Sequence, residues 1–261
     1  MNLNLTDKVV IVSGATSGIG AEIAIGFAKE GAIVVVVGRD KTRAHDIMGQ
    51  IEAIQKKSIL IIAELSDYEA CKNVVDETIR SFGKIDILIN NAGGNDSVGL
   101  DAGPEAFKRS LERNLTHVYN LTHFALPNLK ESKGNIVNIG SKVAETGQGG
   151  TSGYAASKGA MRALTREWAL DLRNFEIRVN EVIPAEVLTL SYQKWISTFA
   201  DPDKKIKEIV RHIPLGKRFT ESKEIADMVL FLASDRSSHT TGQHIYVDGG
   251  YTHLDRAIDF E

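Results

Sequence analysis

Lys8-Val-Val-Ile-Val-Ser13-Gly-Ala-Thr-Ser-Gly-Ile-Gly20 is the stretch on which the fold turns. Its first half is a β-branched run, apolar at consecutive positions, as a strand buried on both faces of a parallel sheet requires. Its second half places glycines at 14, 18 and 20 in a turn that opens an amphipathic stretch over 18–30. A turn lacking Cβ atoms lets a phosphate approach the main chain and meet the free amides and positive end of a helix. Strand, glycine turn and helix in this order predict a dinucleotide-binding unit.

Working outward, similar β-branched runs recur at 33–38, 58–63, 85–90, 135–139, 176–182 and 244–247, which makes seven strands with the first. Helix-period stretches lie between them at 42–55, 67–82, 104–129, 153–172 and 222–233. Gly31 and Gly83 read as helix stops, and Ser66-Asp67 as a cap. Residues 184–214 break the rhythm with Tyr192, Trp195, Phe199 and a basic run at 204–207, and read as one or two inserted helices. No composition shift, linker or repeat divides the chain. The expectation is one α/β domain over 1–261, a doubly wound Rossmann domain whose seven-stranded parallel sheet carries helices on both faces. A helical insertion at about 185–215 would form a substrate loop.

Composition narrows the function. With 31 Lys plus Arg against 34 Asp plus Glu and a net charge of -3, the chain lacks the basic footprint for nucleic acid or an anionic membrane. Cys71 is the single cysteine, so no intramolecular disulfide can form, and the seven histidines show no ligand spacing. No metal is expected. The N-terminus is too polar for a secretory signal, and no apolar run approaches the roughly 18 residues of a spanning helix. These features predict a cytoplasmic protein with small-molecule partners.

The second strand ends Val37-Gly38-Arg39-Asp40, where a Rossmann unit selects its cofactor. A carboxylate here accepts from a ribose 2′-hydroxyl, whereas a cation accommodates a 2′-phosphate. Gly38 removes one candidate carboxylate and Arg39 supplies a cation, so the expectation leans to NADP; Asp40 keeps NAD open.

Tyr154 and Lys158 stand four apart on a predicted helix and share a face. Composition alone yields roughly 0.4 such pairs by chance, and Tyr68 with Lys72 is a second. Context separates them. Tyr154 follows a glycine-rich loop that begins after Ser141, and Asn114 lies in the long preceding helix, whereas Tyr68 has no hydroxyl nearby. Oxidising a carbinol requires removal of its proton, and a phenol of pKa about 10 is a weak base near neutrality. A neighbouring ammonium favours the phenolate. Lys158 would activate Tyr154, Ser141 would hold the substrate oxygen, and Asn114 would bind a water that replenishes the proton.

Taken together, these motifs resemble the short-chain dehydrogenase/reductase family over essentially the whole chain. Gly14, Ser17, Gly18, Ile19 and Gly20 match its T/S-G-x-x-x-G-x-G turn, and Asn114, Ser141, Tyr154 and Lys158 its catalytic tetrad. Asn90-Asn91-Ala92-Gly93 matches its N-N-A-G element, Pro184 with Thr189 its P-G-x-x-x-T segment, and Asp248-Gly249-Gly250 its V-D-G-G. The resemblance implies cofactor contacts at Arg39, Glu64, Leu65 and Val187 besides these motifs, and a homotetramer. Glu64 stands where the family usually has Asp, and Ala185 replaces a glycine. The Tyr-x6-Lys spacing of the related enoyl reductases is absent, because residue 160 is Ala, which argues against double-bond reduction.

Residues 184–189 and the tail 247–256 resemble bacterial L-fucose dehydrogenases within that family. Substrate contacts are expected at Ser141, Gln148, Tyr154 and Glu186; with Glu145, the last and Gln148 suggest a polar, hydroxylated ligand. The reading is therefore oxidation of an aldose such as L-fucose to its lactone, with the tail reaching a neighbouring subunit. A 3-oxoacyl-carrier-protein reductase shares every catalytic motif and is the alternative. An idle nucleotide-binding scaffold is the remote one.

Overall fold

The computed structural model describes residues 2–255. Seven strands form one sheet in the order β3-β2-β1-β4-β5-β6-β7, and every neighbouring pair is parallel. They are β1 (Val9–Ser13), β2 (Ile33–Gly38), β3 (Ile59–Ile62), β4 (Ile87–Asn90), β5 (Asn135–Ile139), β6 (Arg178–Pro184) and β7 (His244–Val247). The order reverses between β1 and β4, and a crevice at such a switch point is where ligands bind in open parallel sheets.

Alternation along the strands divides the apolar side chains between two cores. Val10, Val12, Val34, Val36, Ile87 and Ile89 face α1 (Gly18–Lys29) and α9 (Ser222–Ala233), which approach closely where Gly26 lies against Leu230. Val9, Ile11, Val35, Leu88, Ile136 and Val179 face the other way. There they meet α3 (Tyr68–Phe82), α5 (His117–Ser132) and α6 (Ser152–Asp171). Each fully buried Val or Ile contributes about 1.5–3 kcal/mol, so both faces must stay covered. The continuous apolar runs seen in the sequence follow from this. Helix α2 (Lys41–Glu52) is capped by Asp40, whose side chain accepts from the Arg43 amide at 3.1 Å.

The helix expected over 104–129 is interrupted. It runs as α4 (Pro104–Leu111), then a π-helical turn at Glu112–Thr116, then α5. Asn114 supplies the cause: its Nδ2 donates to the Ser110 carbonyl at 3.1 Å, competing for the acceptor that a regular helix would give its own amide. The strand expected at 176–182 begins two residues later, because Glu176 takes a left-handed conformation at φ 59°. The inserted segment contains α7 (Leu190–Ile196) and α8 (Pro202–Arg211). Among the described residues, no helix is long and apolar enough to cross a membrane.

Candidate active site

At the carboxyl edge of the sheet, the turn after β1 and the turn after β4 are clamped together. The Ser13 hydroxyl donates to the Ile89 carbonyl at 3.0 Å and accepts from the amides of Asn91 and Ala92 at 3.0 and 3.1 Å. The Asn91 side-chain amide donates back to the carbonyls of Ser13 and Gly14 at 2.9 and 3.1 Å. Space there is exhausted. Gly14 has φ 66°, and a Cβ on it would lie 2.8 Å from Ala92 Cα; one on Gly20 would lie 2.3 Å from the Gly14 oxygen. Both glycines are dictated by that approach. The N-terminus of α1 carries neither a side-chain cap on its amides nor an acidic residue in its first turn. A dinucleotide pyrophosphate fits this cradle.

Beyond it, a Cβ on Gly38 would meet Thr16 Cγ2 at 2.3 Å, so no carboxylate can stand at that position without displacing Thr16. Asp40, which kept NAD open, is committed to the α2 cap and to Arg43, at 2.5 Å from Nη2. Arg39 pairs with Glu64 at 2.8 Å, both being half exposed. Burial raises the Glu64 pKa, but the bonds from Arg39 and Ser66 outweigh it and hold the carboxyl below its ordinary value. Leu65 is buried beside this pair.

After β5, Ser141 caps a short 3₁₀ turn over Lys142–Ala144 and hydrogen-bonds the Tyr154 hydroxyl. Lys158 lies one helical turn beyond Tyr154, with Nζ 5.7 Å from the centre of its ring and donating to the Ile139 carbonyl at 2.7 Å. Three of the four expected catalytic side chains thus converge. Burial raises the Tyr154 phenol, the bond from Ser141 opposes this, and Asp96 adds to the rise. Burial pulls Lys158 down to about 8, opposed by Glu181. Asn114, fully buried, lies on the turn that packs against α6; its Oδ1 accepts from the Gly94 amide at 2.8 Å and its Nδ2 is engaged by Ser110.

The segment after β6 brings the remaining expected residues over the crevice. Pro184 ends the strand, Val187 is buried and bridged to Thr220, and Thr189 caps α7 while its side chain lies against Gly18. Glu186 is the surprise. It is buried in an ion pair with Lys142, and its second oxygen accepts from the Tyr192 hydroxyl at 2.6 Å. The ring of Tyr251 lies 3.9 Å beneath Lys142 Nζ. Gln148 is exposed on the loop. In the tail, His253 lies 3.7 Å from Glu145, which also pairs with Arg162. Arg256, at the end of the compared tail, lies outside the described residues.

Sequence reasoning missed Lys142 and Tyr251, whose partners are distant in the chain, and Tyr192, whose partner Glu186 lies six residues before it. It also missed the buried pair of Glu181 with His244, 2.6 Å apart. A glutamate among the buried residues of β6 was the available signal. Among the described residues, no cluster of His, Cys, Asp and Glu could hold a metal ion.

A family model described as enoyl-(acyl carrier protein) reductase matches residues 14–252. The chain is 36% identical over 250 residues to a 3-oxoacyl-[acyl-carrier-protein] reductase of Thermotoga maritima, covering 95% of this chain and 99% of that protein. It is 34% identical to the L-fucose dehydrogenase of Bos taurus, covering 96% and 91% of the two chains. It also resembles the ligand-free aldohexose dehydrogenase of Thermoplasma acidophilum, with TM-score 0.89, 31% identity and full coverage of both chains. With the cradle, the Tyr154–Lys158 helix and the parallel sheet in place, the chain belongs to the short-chain dehydrogenase/reductase family, oxidoreductases that act on CH–OH groups with an NAD(P) cofactor.

Proposed function

We propose that the protein oxidises the anomeric hydroxyl of an aldose, L-fucose or a close relative, to the lactone. The observation that carries the chemistry is the Tyr154 hydroxyl bonded to Ser141 with the Lys158 ammonium below its ring. Ser141 holds the substrate oxygen against the phenol, and Tyr154 as phenolate takes the hydroxyl proton. Lys158 favours that phenolate by its charge. Asn114 fixes the loop at Gly94, and because its side-chain amide is engaged at both ends, its main-chain carbonyl is what remains to hold a relay water. The nicotinamide, when bound, accepts the hydride. The whole described chain serves as one catalytic unit, with α7 as its substrate-loop wall.

Two features support a sugar. The crevice wall offers Gln148 and the Lys142–Glu186–Tyr192 group, which suit hydroxyls better than an acyl chain. Several relatives bear sugar-dehydrogenase names. The two oxygens of Glu186 are held by protein partners, so a sugar hydroxyl would share them rather than find them bare.

For the cofactor we favour NADP. Arg39 is the cation at the end of β2, Gly38 and Asp40 present no competing carboxylate, and the exposed Arg39–Glu64 pair contributes at most about 1 kcal/mol, which a phosphate dianion readily displaces. A homotetramer in the cytoplasm suits the exposed aromatics Tyr68, Phe107 and Tyr119 on α3 to α5 and the lone buried cysteine. The competing reading, reduction of a 3-oxoacyl thioester, is favoured by the Thermotoga relative. A spectrophotometric screen of aldoses with each cofactor decides between them. Rapid turnover of L-fucose, L-galactose or D-arabinose supports the sugar reading; silence with all three beside reduction of an acetoacetyl thioester ends it.

A further inference from the structure

Glu181 sits in the middle of β6 and is 1% exposed, in a strand buried on both faces. An isolated carboxylate in such a place would surrender its charge or unfold the strand. One oxygen is satisfied by His244 Nδ1 at 2.6 Å. The other, Oε1, is buried without a hydrogen-bond partner. Its place is specific: a Cβ on Gly140 would lie 2.3 Å from it, so the carboxylate rests against the main chain of Gly140. Gly140 is flanked by Ile139, whose carbonyl receives Lys158 Nζ, and by Ser141, which bonds Tyr154. The pleat puts Glu181 on the side of Val179, the face that α6 covers.

We propose that Glu181 is a positioning residue for the catalytic pair, a buried counter-anion held by His244 that keeps the Lys158 ammonium charged beside Tyr154. On the elements packed here, His244 of β7 touches this carboxylate and Lys158 of α6 feels its charge, while Arg162 of α6 lies over the Tyr246 ring and pairs with Glu145, which His253 also approaches. Arg162 is answered by Glu145, and His244 already donates to Glu181. Lys158 is the cation left for Glu181 to balance. Its attraction opposes the burial that drives the Lys158 ammonium toward deprotonation. The catalytic consequence rests on the dehydrogenase reading above, whereas the coupling of Glu181 to Lys158 does not.

The test is a lysine 13Cε NMR titration of the intact protein, the Lys158 resonance being identified by its loss in Lys158→Arg. Glu181→Gln should lower the Lys158 midpoint by about one pH unit, a tenfold weaker proton affinity, and Glu181→Asp should restore most of it. The alkaline limb of kcat/KM, measured with whichever alcohol the enzyme accepts, should move the same way. Glu181→Met, apolar and of similar length, carries the same expectation should the glutamine variant fail to fold. An unmoved midpoint in a folded neutral variant overturns the proposal, as does a pH-independent loss of kcat/KM with the profile in place. A shifted midpoint in a protein inactive on every aldose would sink the sugar reading alone.

Discussion

Replacing Lys142 by methionine removes one half of a buried ion pair and leaves the other half with a phenol as its remaining partner. The side chains of Lys142 and Glu186 are 10% and 9% exposed, so neither is screened by water to any useful degree. Breaking such a pair from one side costs about 3–5 kcal/mol, because a desolvated charge is stranded, while replacing both partners by apolar residues of similar size is often neutral. Lys142→Met should therefore lower stability by about 3 kcal/mol, slightly eased because Tyr192 still donates to Glu186 at 2.6 Å. In a chain this size that is roughly 6–12 °C in Tm. Lys142→Met with Glu186→Leu should recover most of the loss. Thermal unfolding of the wild type, both single variants and the double variant, followed by circular dichroism, gives the coupling directly. Additive losses, or a Lys142→Met variant within about 1 kcal/mol of wild type by that cycle, would refute the burial argument.

The other expectations concern chemistry and pH. Tyr154→Phe should abolish turnover while leaving cofactor affinity, read by fluorescence titration, within a few-fold; substantial residual turnover removes Tyr154 from the base role. Arg39→Ala should lower kcat/KM for NADP far more than for NAD, and equal losses would remove Arg39 from phosphate recognition. Lys158 titrates at about 8 in the fold against its ordinary 10.5, so the folded state binds fewer protons between those values. Its burial therefore costs stability in full below pH 8, and that cost is relieved as pH rises toward 10.5. Lys158→Met should be inactive, and its stability relative to wild type should fall as pH rises over 8 to 10.5, because only the wild type is relieved of the buried charge there. A constant difference across that window would show that the charge is not what burial penalises.

Much of the site was legible because it is local. The glycine turn and the Asn91–Gly93 element directly follow strand ends, where β-branched runs announce the sheet edge, and the Tyr154–Lys158 spacing lies within one helix. Asn114 was found, but the π turn in which it sits and its bond to the Gly94 amide were not, because helical periodicity over 104–129 conceals them. Glu186 was singled out as an expected substrate contact, but its pairing with Lys142, 44 residues away, was not legible. Asp40 had been held open for a ribose, and local capping of α2 claimed it.

Residue order alone determined the elements, the parallel sheet and the candidate catalytic side chains Asn114, Ser141, Tyr154 and Lys158, since turn chemistry and periodicity act over a handful of neighbouring residues. Which charges end up facing one another was decided only when the sheet assembled. Parallel strands are joined by long crossovers, so Glu181 meets His244 and Gly140 across residues separated by tens of positions, and Arg39 meets Glu64 across a whole helix. Spacing carries no record of such pairs, because a buried charge is specified by the packing that removes its water.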